Sequence, residues 1–113
     1  MSARRANKKL VEMAKVIRSK NSGPFKLTLD IIFDSADEYR SIKASGQVTR
    51  ELIAGLYGIE TALIAEIIFF DPASAIKVVL PRPVVSGGPG DTDVYGAQQH
   101  APLLALSFEI EEE

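Results

Sequence analysis

The chain has 113 residues, 46% hydrophobic and 25% charged: the length of one domain and the composition of a folded globule rather than a disordered chain. It holds no cysteine, which excludes a disulfide framework, a thiolate nucleophile and a cysteine-based zinc site. The net charge of −2 is unevenly spread, with basic residues crowding the first twenty positions and Glu109, Glu111, Glu112 and Glu113 closing the chain; because no aromatic residue accompanies the basic end, it reads as a solvated face and not as a nucleic-acid site.

No apolar run approaches the ~18 residues that a membrane-crossing helix needs, the longest (62–70) being interrupted by Glu66. The basic N-terminus is not followed by the apolar stretch of a signal peptide, so a cytoplasmic location is expected. Residues 1–113 read as a single domain with frayed ends at 1–7 and 111–113.

Leu10, Met13, Ala14 and Ile17 recur at three- and four-residue spacing, which predicts a first helix over about residues 6–19. Asn21, Gly23 and Pro24 supply its stop. Phe25, Leu27, Leu29, Ile31 and Phe33 then alternate with Lys26, Thr28, Asp30 and Ile32, the period of a half-buried strand. Ser35 and Glu38 form a capping box for a helix that runs to Gly46. Thr49 caps a further helix with Leu52, Ile53 and Leu56 inward and Gly58 at its end.

Residues 61–70 predict a second strand, the stretch Asp71-Pro72-Ala73-Ser74 a turn, and residues 75–80 a third strand with Ile76, Val78 and Leu80 on one face. Pro81 and Pro83 stop its pairing, because proline lacks the amide donor. Leu104, Leu106, Phe108 and Ile110 alternate as a last strand. The order implies a right-handed βαβ unit followed by a hairpin. The expected fold is therefore α/β, a two-layer sandwich with one mixed sheet of about four strands and helices mainly on one face.

Three places exceed what folding requires. Arg18, Lys20 and Asn21 fall at the end of the predicted first helix, where they complement its dipole and cap it, or else hold a carboxylate or phosphate. Asp30 sits in mid-strand opposite in face to Leu29 and Ile31; this favours a wet outer face, with pairing to Arg18, Lys20 or Lys77 as the alternative. The third place is "SGGPGDTDVYGAQQH", residues 86–100, which crowds Asp91, Thr92, Asp93, Tyr95, Gln98, Gln99 and the single histidine, His100, into one glycine-rich loop. Its glycines permit positive φ and close backbone approach. Asp91 and Asp93 are open to two readings, metal ligands with His100 or turn formers bonding their own backbone. GGPGD is not followed by the Lys-Ser/Thr of a phosphate loop, and no cofactor or metal is assigned. The density of polar side chains, which cost rotamer entropy to order, favours a functional loop. Asp93 and His100 are its candidate catalytic groups, and Asp91, Thr92, Tyr95, Gln98 and Gln99 its candidate ligand contacts.

"VIRSKNSGPFKLTLDIIF", "TRELIAGLYG", "FFDPASAIKVVLPRP" and "GDTDVYGAQQHAPLL" together resemble the bacterial domain of unknown function 4387, over about residues 8–106. The resemblance implies a companion of the AtuA-type proteins named for acyclic terpene utilisation, as a neighbour or a fused C-terminal piece. It therefore implies a small subunit or accessory domain in carboxylic-acid or acyl-CoA catabolism, in a reaction such as that of a lyase or hydratase. It brings no catalytic residue with it. Two further readings stand beside this one: a stand-alone module for a small anion (a carboxylate, an acyl-CoA or a phosphate), with Arg18, Lys20 and Arg82 supplying the charge and glycine-rich backbone amides the remaining donors, and a structural domain that self-associates. Ile32, Ile64, Ile68 and Phe70 leave apolar material on both faces of their strands, so the isolated protein is expected to be a homo-oligomer, a dimer.

Overall fold

The computed structural model describes residues 4–21, 25–81 and 101–112. The predicted helix over 6–19 is replaced by strand β1 (Arg4–Lys9), a single helical turn α1 (Leu10–Met13) and strand β2 (Ala14–Asn21). Tertiary pairing decides this. The next strand, β3 (Lys26–Phe33), is buried from Leu27 to Ile31 and needs a hydrogen-bonded neighbour on both sides; β2 supplies one, antiparallel, from Ala14 opposite Phe33 to Asn21 opposite Leu27. Leu10 and Met13, three apart on the one helical turn, are fully buried.

Both predicted helix caps are present. Helix α2 (Ala36–Ser45) starts where the Glu38 amide donates to Ser35 Oγ at 3.2 Å, and it ends at Gly46, whose φ of +70° is the left-handed conformation that glycine adopts without strain. Helix α3 (Arg50–Tyr57) starts with the Leu52 amide donating to Thr49 Oγ1 at 3.1 Å and ends at Gly58, φ +66°. Ile53 and Ala54 are its buried residues, with Leu52 and Leu56 packed partly against the core. The predicted strand over 61–70 is shorter: Thr61–Leu63 is a 3-10 turn, and strand β4 spans Glu66–Phe70. A second 3-10 turn, Asp71–Ala73, leads through Ser74 to strand β5 (Ala75–Pro81).

The main sheet has the order β2-β3-β5-β4, with every neighbouring pair antiparallel. The α/β class and the four-stranded sheet are thus as expected, but the sheet is antiparallel and not mixed. β3 and β4 do run in the same direction, joined through α2 and α3, yet β5 lies between them, so the crossover skips one strand. The predicted last strand starts later than Leu104, because Ala101–Ala105 is a 3-10 turn; as β6 (Ser107–Glu112) it belongs to a separate ribbon with β1, in register from Arg4 opposite Glu112 to Lys9 opposite Ser107. Residues 4–7 and 111–112, expected to fray, form one end of that ribbon.

One core unites the layers. Leu27, Leu29, Ile31 and Phe33 of β3 and Ile76, Val78 and Leu80 of β5 present one sheet face to Tyr39 and Ile42 of α2 and to Ile53 of α3. Phe108 and Ile110 of β6 join the same cluster. Two polar ties fasten the ribbon to the helical layer. Lys8 pairs with Glu38 at 2.7 Å, and the Gln47 side-chain amide both donates to the Glu109 carbonyl (2.6 Å) and accepts from the Glu109 amide (2.8 Å), as a neighbouring strand would. Among the described residues no helix is long and apolar enough to cross a membrane.

Candidate functional site

The helices cover one face of the sheet; the other, here the outer face, carries the charged residues that the sequence singled out. Along β3 the outer positions are Lys26, Thr28, Asp30 and Ile32, and strand register sets their neighbours. The central row reads Arg18, Asp30, Lys77, Ile68 across β2, β3, β5 and β4. The row beside it reads Lys20, Thr28, Val79, Glu66, and the row on the other side Val16, Ile32, Ala75, Phe70.

Asp30 is not solvent-exposed as the sequence favoured; it is 6% accessible, and Arg18 Nε donates to its Oδ2 at 3.0 Å. The alternative partner is therefore the one observed. A carboxylate in the middle of a four-stranded sheet has strands on both sides, and the stems of long cross-strand neighbours shield it. Arg18 itself is half-exposed, with its charge held by Asp30 through one edge of the guanidinium. Among the described residues no side-chain hydrogen bond or ion pair engages Lys20 or Lys77. Arg18, Lys20 and Asp30 thus share one surface, while Asn21, opposite Leu27, belongs to the inner face. The helix-dipole role expected for Arg18, Lys20 and Asn21 falls away, since all three stand on a strand.

A second cluster escaped the sequence reading. An open groove of about 610 Å³ runs between α2 and the β4–β5 turn, lined by Ala36, Tyr39, Lys43, Asp71 and Ser74 among others. In it Tyr39 Oη donates to Asp71 Oδ1 at 2.6 Å, and Lys43 Nζ donates to both Asp71 oxygens at 2.8 and 3.1 Å. Burial, with the added effect of Asp71, pushes the Tyr39 hydroxyl up to about 12, so near neutrality it is a proton donor and not a base. The hydrogen bonds from Lys43 and Tyr39 hold the Asp71 carboxyl below the usual carboxylate range. Donors and acceptor satisfy one another, which makes the cluster a tie between helix and turn rather than a reactive centre. The spacing of Tyr39 and Lys43, four apart on one helix face, was visible in the sequence; their partner 28 to 32 residues away was not.

A smaller groove of about 270 Å³, lined by Phe25, Lys26, Leu63, Val79 and Pro81 among others, is apolar with one cation at its rim. Among the described residues no three His, Cys, Asp or Glu side chains converge as a metal would require. Asp91, Thr92, Asp93, Tyr95, Gln98, Gln99 and His100, the loop candidates, lie outside the described residues, as do Arg82 and Pro83.

Against known proteins, the model of one family, described as a domain of unknown function (DUF4387), matches residues 10–107. No curated protein and no solved structure matches the chain. The match spans nearly the whole sequence, and the chain belongs to the DUF4387 family.

Proposed function

We propose that this DUF4387 member is the small subunit or accessory domain of a heteromeric metabolic enzyme, and that it completes a site on a larger AtuA-like chain. The setting is carboxylic-acid or acyl-CoA catabolism, with a lyase or hydratase as the reaction class. The observation that carries the reading is the distribution of exposed apolar side chains. Phe25 (65% exposed) and Leu63 flank the smaller groove, while Ile68 and Phe70 (53% exposed) stand at the β4 edge of the outer face. Large apolar groups so placed suit a surface that another chain covers. Both grooves open to solvent, and a domain of this size has little room for a core and a deep pocket together. In this reading the 86–100 loop is the contribution to the shared site, with Asp93 and His100 as its acid–base candidates.

Co-expression with an AtuA-like large chain tests the proposal. The two should co-elute, and the mixture should turn over substrate that neither chain turns over alone. Robust turnover by the small chain in isolation refutes it. Asp93→Ala and His100→Ala, with melting temperature and complex activity measured separately, should leave the fold intact and abolish activity per folded molecule. If they lower only the melting temperature, the loop is structural.

A further inference from the structure

We infer that the centre of the outer sheet face is a binding site for a small dianion, a dicarboxylate or a phosphate ester. Arg18, Lys20 and Lys77 are its ligands, and Asp30 is the positioning residue that aims Arg18. The inference is independent of the companion chain proposed above, because every residue it uses belongs to this one.

Three features of the geometry lead here. First, Asp30 has a cation opposite it on each neighbouring strand, Arg18 on β2 and Lys77 on β5, but it bonds only Arg18. With Lys20 two residues along from Arg18 on the same face, three cations surround one buried carboxylate, an excess of two positive charges on a chain whose net charge is −2. Glu66, the other acid of these rows, stands at the far edge of the sheet, three strands from Lys20. Second, Arg18 is oriented. Asp30 accepts from Nε, which leaves the two terminal nitrogens of the fork without a described partner, and such a fork grips two oxygens of a carboxylate or phosphate side by side. A residue that merely neutralised Asp30 would not need to be half-exposed. Third, the spacing suits a compact ligand. Arg18 and Lys20 are about 7 Å apart along the strand, and Lys77 is about 10 Å from Arg18 across β3, distances that flexible lysine stems close around one small dianion.

The ordinary alternative is that like charges on a sheet face do no more than keep it soluble. Scattered solvated lysines, however, do not account for a guanidinium that is held in a fixed orientation, half-exposed and with its fork turned away from Asp30, beside two more cations. Whatever else the Arg18–Asp30 pair does for strand alignment, its outer side presents a ready-made oxyanion grip.

The test titrates the folded protein with succinate, inorganic phosphate and phenyl phosphate, with acetate as the monoanion control, and follows the Arg18 Nε–Hε signal and the β2 and β5 amides by NMR. A dianion should shift these signals saturably, bind several-fold tighter than acetate and weaken with added salt. Arg18→Gln orphans Asp30 and is a poor probe because it threatens the fold. Lys20→Gln and Lys77→Gln leave the ion pair in place and should each weaken binding by about fivefold with an unchanged melting temperature. Arg18→Lys, which keeps the charge and removes the fork, should weaken it further than either. Saturation with succinate alone assigns a dicarboxylate, with the phosphates alone a phosphoryl ligand, and with all three a general oxyanion site; each supports the inference. No saturable shift at tens of millimolar, or binding that neither lysine substitution alters, overturns it.

Discussion

Arg18→Ala isolates what the buried carboxylate requires. In the native protein Asp30 has 8% of its side chain accessible and one ion-pair partner, Arg18 Nε at 3.0 Å. Removing the partner of a fully buried charge typically costs about 3–5 kcal/mol. The guanidinium is itself 56% accessible, so its removal opens a path for water to the stranded oxygen, and the expected loss falls to about 1–3 kcal/mol. For a domain of this length that corresponds to a drop of roughly 4–12 °C in melting temperature. Lys77, opposite Asp30 on β5, is free to swing toward it and pulls the value to the lower half of that range. The decisive comparison is a double-mutant cycle with Arg18→Met and Asp30→Leu, followed by urea and thermal melts. Arg18→Met alone should be destabilising, whereas the double variant should regain most of the loss, because two apolar side chains of similar volume leave no desolvated charge behind. If Arg18→Met lies within about 0.5 kcal/mol of the native protein, or if the two substitutions add without coupling, Asp30 is not held as described and the positioning role argued for it fails.

Four further outcomes follow from the structure. Tyr39→Phe removes the hydroxyl that donates to Asp71 and should cost about 1 kcal/mol near neutrality. Because the Tyr39 hydroxyl is raised to about 12 in the fold, its contribution is complete below pH 10 and declines as the pH rises toward 12; alkaline melts should show that decline in the native protein and not in the variant. Asp71, held below its usual range, behaves in the opposite sense: its contribution is present above the ordinary carboxylate value and is lost as the pH falls below it, a loss that Asp71→Asn should abolish in acid melts. Gly46→Ala and Gly58→Ala should each cost about 1 kcal/mol from backbone strain alone, since both glycines have positive φ and a methyl group at either would meet nothing within 4 Å. Light scattering should find the isolated protein self-associated, and Ile68→Lys with Phe70→Ser should dissociate it without lowering its melting temperature; a clean monomer across the micromolar range refutes self-association through that surface.

The segments read correctly from the sequence are those in which local chemistry and tertiary packing agree. Ser35 and Thr49 cap helices because their hydroxyls reach amides three residues on, whatever surrounds them. Gly46 and Gly58 end those helices for an equally local reason. The N-terminal segment misled because two irregularities imitate a helical period. Leu10 and Met13 share a face through one real helical turn. Ala14 and Ile17 share a face because a bulge shifts the register between Ala14 and Val16, so that positions three apart both point inward, opposite Phe33 and Ile31. A spacing of 10, 13, 14, 17 is then the sum of a turn and a bulge. The pairing of β1 with β6 joins the two ends of the sequence and left no local sign at all.

The fate of Asp30 turned on that same misreading. With a helix ahead of it, β3 is free to be an outer strand with one wet face, and a mid-strand carboxylate is unremarkable. With β2 beside it, β3 is central, and its outer residues are shielded whether polar or not. The β2–β3 register then leaves a single solution. Ile17 lies opposite Ile31, Arg18 opposite Asp30 and Ser19 opposite Leu29. A slip of one residue would reverse the faces of β2, carry Arg18 toward the helical core and strand Asp30 against Ile17 or Ser19. The apolar face alone specifies this register weakly, because β2 contributes only Ala14 and Ile17 to the packing around the core. The ion pair supplies the missing specificity: it penalises each wrong alignment by a buried, unpaired charge. On this argument Asp30 and Arg18 first set the pairing of the two strands, and the oriented guanidinium on the outer face is a consequence of the alignment they enforce.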